Sequence, residues 1–118
     1  MKITDKQFQT LTEDIKPFEL SSEWDNSIKV ANGTKDLEFK SSLGGDYGMA
    51  VFEILYDGYE NYDITPETYH EPSQHTLIAK SITIEIDKLW LFDGYEIDLT
   101  EEQRDKLQDI LINNAELD

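Results

Sequence analysis

The apolar residues of this chain follow strand periodicity through the middle of the sequence and helix periodicity at its two ends. Ile78, Ile82, Ile84 and Ile86 alternate with polar residues, which is typical of a strand with one buried face. Residues 49–56 form the most apolar run, and we expect it to be a central strand. The pattern predicts an α+β fold, a twisted antiparallel sheet of about five or six strands with an N-terminal and a C-terminal helix.

Both helices are predicted from capping signals. Thr4 and Gln7 have the spacing of a capping box, which predicts a short amphipathic helix over about residues 5–15. Thr100 and Gln103 repeat the pattern before a second apolar periodic segment. The buried stripe of this second helix is predicted to comprise Leu107, Ile110, Leu111 and Ala115.

Turn residues predict how the strands are connected. Asn32-Gly33 lies between two strand-like runs, and Asn-Gly in that position is a strong hairpin signal because both turn residues need positive φ. With a further turn at Gly44-Gly45, we expect a three-stranded meander over residues 27–56. Asp93-Gly94 predicts another hairpin, with residues 95–99 as its returning strand.

Residues 57–75 differ from the rest of the chain. The segment contains five acids, three tyrosines, two prolines and both histidines, with no basic residue. We expect a long loop, with a short strand piece at Tyr62 and Ile64. Loops longer than about 12–15 residues are uncommon in compact domains and are often functional or disordered.

Length and composition limit the class of protein. The 118 residues are close to the commonest domain size, so we expect a single α+β domain over residues 1–118. Thirteen aromatic residues are too many for a typical disordered chain. The absence of cysteine excludes disulfides and thiolate metal sites. No apolar run approaches the roughly 20 residues that span a membrane, and no secretory signal is visible, which predicts a cytoplasmic location.

Charge is the strongest functional signal in the sequence. The chain has 26 acidic and 10 basic residues, for a net charge of -16. Residues 53–118 carry seventeen acids and four bases, whereas residues 1–52 carry nine and six. Such a surface repels nucleic acids and anionic membranes and attracts basic partners. Solubility alone is the competing explanation for this excess of acids.

Tyrosines lie among the acids of the C-terminal half, and this combination suits a protein interface. Tyrosine offers a large contact area and one hydrogen bond. Carboxylates around it can pair with lysine and arginine of a basic, nucleic-acid-binding partner. We predict a binding surface centred on residues 57–75 and 93–102. Its predicted members are Asp57, Tyr59, Glu60, Tyr62, Asp63, Glu67, Tyr69, Glu71, Asp93, Tyr95, Glu96, Asp98, Glu101 and Glu102.

Patterns that would support catalysis are weak. His70 and His75 lie in an acidic segment but match no established zinc-binding spacing. Glu38-Phe39-Lys40, with Asp25 upstream, has the E-x-K form of a nuclease class in which carboxylates hold a cation. We therefore predict no catalytic residue, no cofactor and no resident metal, and we keep a metal-dependent hydrolase as an alternative.

The last fifty or so residues resemble small acidic proteins encoded by phages and other mobile elements. The resembling positions are Tyr69, Glu71-Pro72-Ser73, the Ile82/Ile84/Ile86 strand and Leu99-Thr100-Glu101-Glu102-Gln103. Some proteins of that group block host defence by mimicking DNA. The resemblance implies an α+β domain and a non-enzymatic inhibitor in the cytoplasm of a bacterial host. A structural component of a phage or mobile element, which forms homo-oligomers, is a second alternative.

Overall fold

The computed structural model describes residues 2–43, 48–65, 74–91 and 94–118, and for residues 64, 65, 74 and 75 it describes the backbone alone. Within these residues, two helices flank a mostly antiparallel arrangement of strands, which confirms the α+β class. The elements are α1 (Asp5–Asp14), β1 (Phe18–Leu20), β2 (Glu23–Asp25), β3 (Ile28–Lys40), β4 (Met49–Thr65), β5 (Gln74–Leu91), α2 (Glu101–Asn114) and β6 (Ala115–Leu117).

The main sheet has four antiparallel strands in the order β2-β3-β4-β5. The whole of β3 pairs with β4, from Ile28 opposite Asn61 to Lys40 opposite Met49. Because a strand rises about 3.3 Å per residue, the seventeen residues of β4 extend roughly 56 Å. The molecule is correspondingly long, with extents of 60 × 26 × 22 Å.

One face of this sheet forms the hydrophobic core with the helices. Phe52 and Ile54 on β4 alternate inward, opposite Leu89 and Ile86 on β5. The Phe52 ring is fully buried and meets the Phe39 ring edge to face at 5.7 Å. The helices cover this face with buried side chains, among them Leu11, Leu107 and Leu111.

Both capping boxes are confirmed. In α1 the Gln7 backbone N–H donates to the Thr4 hydroxyl, and the Thr4 N–H donates to the Gln7 side chain. Thr100 and Gln103 make the same pair of bonds at the start of α2. The predicted stripe of α2 lies toward the core, although Ile110 is half-buried and the buried Ala115 already belongs to β6.

A second, two-stranded sheet was not predicted from the sequence. β1 and β6 pair in parallel, with Leu20 opposite Leu117, and both leucines are buried. Ser22 holds the end of the chain, because its backbone N–H and its hydroxyl both donate to the Asp118 carboxylate, at 2.7 and 2.9 Å. Strands of three residues are too short to show the alternation that identified the longer strands.

The predicted hairpin at Asn32-Gly33 is wrong. β3 continues through both residues, which lie opposite Asp57 and Tyr56 of β4. Gly33 has a φ of +152°, and a Cβ at that position would lie 3.4 Å from the Tyr56 hydroxyl. The glycine therefore admits the aromatic side chain of the neighbouring strand, and the expected meander over residues 27–56 is one long strand pair.

The turn before β3 lies earlier in the chain. Asp25 pairs with Ile28, so Asn26 and Ser27 form the two-residue connection between β2 and β3. Asn26 has a φ of 57°, a left-handed conformation that asparagine tolerates better than most residues. The turn at Asn26 was not predicted from the sequence, and the long β3–β4 ladder fixes the conformation of Asn32 as part of a strand.

The predicted loop over residues 57–75 is also wrong where the structure describes it. β4 continues to Thr65 and β5 begins at Gln74, while residues 66–73 lie outside the described residues. In this part of β4 the face that continues the core carries Glu60 and Tyr62 in place of aliphatic residues. The apolar alternation from which strands are predicted is therefore absent there.

Two irregularities interrupt the pairing of β4 with β5. The register shifts between Glu53 and Ile54 and again between Asn61 and Tyr62, which leaves Asp87 and Ile78 of β5 without a partner. Ile78 was expected on the buried face, but its side chain is 63% exposed, and the neighbouring Leu77, which pairs with Tyr62, is 48% exposed.

Residues 95–97 return along β5, although they form one isolated bridge, at Glu96, and no full strand. The Leu91 N–H donates to the Tyr95 carbonyl at 2.8 Å, and the Ile97 N–H donates to the Leu89 carbonyl at 2.7 Å. Trp90 bridges Glu96 in an antiparallel sense, as the predicted hairpin required. The turn residue Asp93 and the predicted Gly44-Gly45 turn lie outside the described residues.

Candidate protein-binding surface

The four strands of the main sheet, β2 to β5, are here called the ribbon. The sheet face that points away from the helices, here called the outer face, carries most of the described acids of the ribbon. Even-numbered residues of β3 pair with odd-numbered residues of β4 on this face, as Asp36 does with Glu53. Seven of its acids are exposed and one, Glu53, is half-buried while accepting a hydrogen bond from the Trp90 indole at 3.0 Å. The exposed acids are Glu23, Asp25, Asp36, Glu38, Asp57, Asp63 and Glu85.

Basic residues of the same strands mostly lie on the opposite face. Lys29, Lys35 and Lys80 share the register of the core-facing residues. The Lys29 ammonium stands 5.3 Å from the centre of the Trp24 ring, and Lys35 donates to the Glu19 carbonyl at 2.8 Å. Lys40 and Lys88 are the two bases on the described outer face, against eight acids, so the outer face has a net charge of -6.

The acids of the outer face are spread along the ribbon. Glu38 lies opposite Val51, and Asp63 lies twelve residues further along β4, which is roughly 40 Å of strand. Six net charges over that length correspond to about one per 7 Å, or about half the density of one DNA strand at 3.4 Å per charge. No ion pair joins Asp36, Asp57 or Asp63 to another described residue.

Apolar side chains lie between these carboxylates. Val30, Leu55 and Tyr59 are each exposed by 43–44% although they belong to a sheet face. Leu55 also lines a shallow depression of about 430 Å³, together with Asp57 and Glu85. The outer face therefore offers apolar contact area as well as charge, as protein interfaces do.

Three of the predicted partner-binding residues on β4 lie on the outer face, and two do not. Asp57, Tyr59 and Asp63 are exposed there. Glu60 lies on the other face and is only 6% exposed, and its carboxylate accepts a hydrogen bond from the Tyr62 hydroxyl at 2.5 Å. That bond, with burial and the charge of Glu60, raises the pKa of Tyr62 above its usual value.

Glu60 and Tyr62 therefore belong to an internal cluster. The Tyr62 ring packs 5.3 Å from the Trp24 ring, and Lys29 lies over both rings. Lys29 is directly opposite Glu60 in the ladder. This cluster continues the packed face of the sheet beyond the helices, and its carboxylate is already engaged within the protein.

The second predicted group lies at the start of α2 and just before it. Tyr95, Glu96, Asp98, Glu101 and Glu102 are all exposed, and Glu102 pairs with Lys106 at 3.3 Å. Glu101 borders a groove that it shares with Thr83 and Glu85 of β5, residues that also border the depression on the outer face. The two predicted groups thus approach each other along β5. Glu67, Tyr69, Glu71 and Asp93 lie outside the described residues.

Five exposed acids of the outer face were missed from the sequence. Glu23, Asp25, Asp36 and Glu38 come from the half of the chain that is near charge balance, and Glu85 was assigned only to a half-buried strand. Continuous alternation from residue 28 to residue 40 would have placed Asp36 and Glu38 on one face with Asn32. The assumed turn at Asn32-Gly33 concealed that alternation.

The nuclease-like residues are not assembled in the structure. Glu38 and Lys40 share the outer face, but Asp25 is opposite Ile28, ten residues of strand or roughly 33 Å from Glu38. Among the described residues, no group of three acids or histidines could hold a metal ion. His70 lies outside those residues, and the side chain of His75 is likewise not described.

No protein-family model, curated protein or solved structure matches the chain. In the part of the chain that the structure describes, neither helix is long and apolar enough to cross a membrane.

Proposed function

We propose that this chain is a non-enzymatic binding protein whose acidic outer face engages a basic, nucleic-acid-binding protein in place of nucleic acid. The observation that carries the proposal is the charge distribution of the ribbon, where strand pairing directs eight acids and two bases of the described residues to the outer face. The phage-protein resemblance of the C-terminal half adds the specific form, an inhibitor of a host defence protein.

The dimensions of the outer face suit a nucleic-acid groove. The outer face, roughly 40 Å long, matches the length of about twelve base pairs, and its acids, which come from all four strands of the sheet, are distributed along that length. Acids that are free of internal ion pairs attract a basic groove over about 10 Å at ordinary ionic strength, which speeds association. Val30, Leu55 and Tyr59 supply the apolar contacts that charge alone does not provide.

The proposal predicts that the immobilised protein retains basic nucleic-acid-binding proteins from a bacterial lysate and that duplex DNA releases them. Retention is measured by mass spectrometry with and without excess DNA. Beads that carry polyglutamate serve as the control, because they retain proteins that recognise negative charge alone. A set of retained proteins identical to the polyglutamate set, or retention that DNA leaves unchanged, contradicts the proposal.

A component of a larger assembly is the second candidate function. The exposed apolar side chains of the outer face favour it, because copies of a chain can associate through such a surface. Light scattering discriminates between the two functions. A discrete homo-oligomer that buries Leu55 and Tyr59 supports assembly, whereas a monomer that retains basic proteins supports the binding function.

A further inference from the structure

Part of the edge strand β5 has backbone groups that no described residue pairs with. The Ile86 N–H points away from β4, because it donates to the Gln108 side chain on α2 at 3.0 Å. In an antiparallel ladder such outward positions recur every second residue, so the N–H and C=O groups of Lys80, Ile82 and Ile84 also point outward. No described residue makes a hydrogen bond to these outward-pointing backbone groups.

The rest of the edge of β5 shows that this side of the strand accepts further pairing. Residues 95–97 occupy the edge beside Leu89 and Leu91 with two backbone hydrogen bonds. Gln108 then covers Ile86, and the edge is open from Ile84 toward Lys80. An added strand would continue the line that residues 95–97 begin.

A groove lies beside this open edge, between β5 and α2. It has a volume of about 730 Å³ and includes Ile84, Leu99 and Ile112 as apolar lining. Four exposed acids border it, and Arg104 is the one base among its lining residues. The four acids are Glu85, Glu101, Asp105 and Asp109.

We propose that the β5–α2 groove binds an extended basic segment of a partner protein as an added strand. The backbone of the segment pairs with Lys80, Ile82 and Ile84, and its lysine or arginine side chains reach the acids of α2. Main-chain hydrogen bonds provide affinity in this mode, and alternate side chains provide specificity. The inference rests on the proposed function, because the segment belongs to the basic partner proposed above. The surface that binds the segment is the β5–α2 groove and not the outer face.

Charge complementarity selects this occupant over the other candidates. A second copy of the chain would bring its own Glu85 and Asp105 against the same residues, and like charges at a paired edge repel. Nucleic acid is repelled by the same four acids. A basic extended segment satisfies the open backbone groups and the unpaired carboxylates together.

The test uses a synthetic peptide of about eight residues that alternates lysine with threonine, a length within the usual range for strands. We expect it to slow hydrogen exchange at the amides of Lys80, Ile82 and Ile84 at least tenfold, as measured by NMR. The amides of Thr83 and Glu85 already point toward β4 and serve as internal controls. The same peptide with N-methyl groups on alternate residues keeps its charge but loses the backbone N–H donors at those residues. It should therefore bind about tenfold more weakly.

The side chains are tested with matched charge reversals. Asp105→Lys with Asp109→Lys should weaken peptide binding at least tenfold, whereas the equally charged pair Glu13→Lys with Glu116→Lys should leave it unchanged. Absence of binding, binding without protection of the three amides, or protection by dimerisation in the absence of peptide overturns this inference. If the peptide does not bind while DNA still releases retained proteins, only the groove inference is contradicted. If the peptide binds but DNA does not release retained proteins, the proposed function is contradicted.

Discussion

Replacing Phe52 with alanine is expected to lower the free energy of unfolding by about 3–5 kcal/mol. Phe52 is fully buried on β4, an inner strand of the main sheet, with Leu37 and Leu89 on either side of it and the Phe39 ring at 5.7 Å. Removing the ring loses its transfer free energy and leaves a cavity that two strands and the helices cannot collapse to fill. Domains of this size are stable by only about 5–15 kcal/mol, so the variant should be marginal.

Urea unfolding monitored by circular dichroism measures the effect of Phe52→Ala, and Leu55→Ala is its matched control. Leu55 is on the same strand three residues away, but it lies on the outer face and is 43% exposed. We expect the control to lose no more than about 1 kcal/mol. Equal losses in the two variants would mean that the helices do not cover the face that carries Phe52.

Replacing Gly58 with alanine is expected to destabilise the protein by about 1–3 kcal/mol. A Cβ on Gly58 would lie 2.8 Å from the Ser81 carbonyl oxygen and 3.1 Å from the Ile82 Cα. Both atoms belong to the backbone of β5, so the clash is relieved only by separating the two strands. In an ordinary strand position the same change stabilises by about 0.5–1 kcal/mol, so the sign of the effect is the test.

The effect of Gly58→Ala is measured by the same urea titration, with Asn61→Ala as control. Asn61 is half-buried on the same strand and continues the ladder on both sides. A Gly58→Ala variant as stable as the wild type would show that β4 and β5 do not approach so closely at this point. A loss confined to Gly58→Ala confirms that the backbones of β4 and β5 approach closely at this glycine.

Local signals in the sequence were sufficient to predict the helices and the buried part of β5. Each capping box depends on two residues three positions apart, so Thr4, Gln7, Thr100 and Gln103 carry the whole signal. The stretch from Ile82 to Ile86 alternates because the helices cover only one of its faces. Where burial is one-sided, the pattern of side chains reports the strand directly.

The remaining features depend on pairing between distant residues. Asn32-Gly33 has the composition of a turn, but pairing along the whole of β3 and β4 outweighs that local preference. β1 and β6 are almost a hundred residues apart, and nothing in three residues indicates a partner at the other end of the chain. Toward the end of β4 the core-side face carries Glu60 and Tyr62, so the strand lacks a periodic apolar pattern there.

The candidate surface shows the same division. Asp57, Tyr59 and Asp63 were predicted from the local density of acids and tyrosines, and the structure places them on the outer face. Glu60 has the same local surroundings in sequence, yet its side chain is buried against Tyr62. Only the alternation of side chains along a strand distinguishes Glu60 from its exposed neighbours, and a loop, as predicted for this segment, has no such alternation.

Reversing the charge of the outer face tests the proposed binding function most directly. Asp36→Lys, Asp57→Lys and Asp63→Lys together change the net charge from -16 to -10, since each substitution adds two charges. The control Glu13→Lys, Glu19→Lys and Glu116→Lys makes the same change at exposed positions away from the outer face.

The quantity measured is the amount of DNA-releasable protein that each immobilised variant retains, after urea unfolding has shown equal stability. We expect at least a tenfold loss for the outer-face variant and little change for the control. Equal retention by the two variants would contradict the proposal that the outer face is the binding surface.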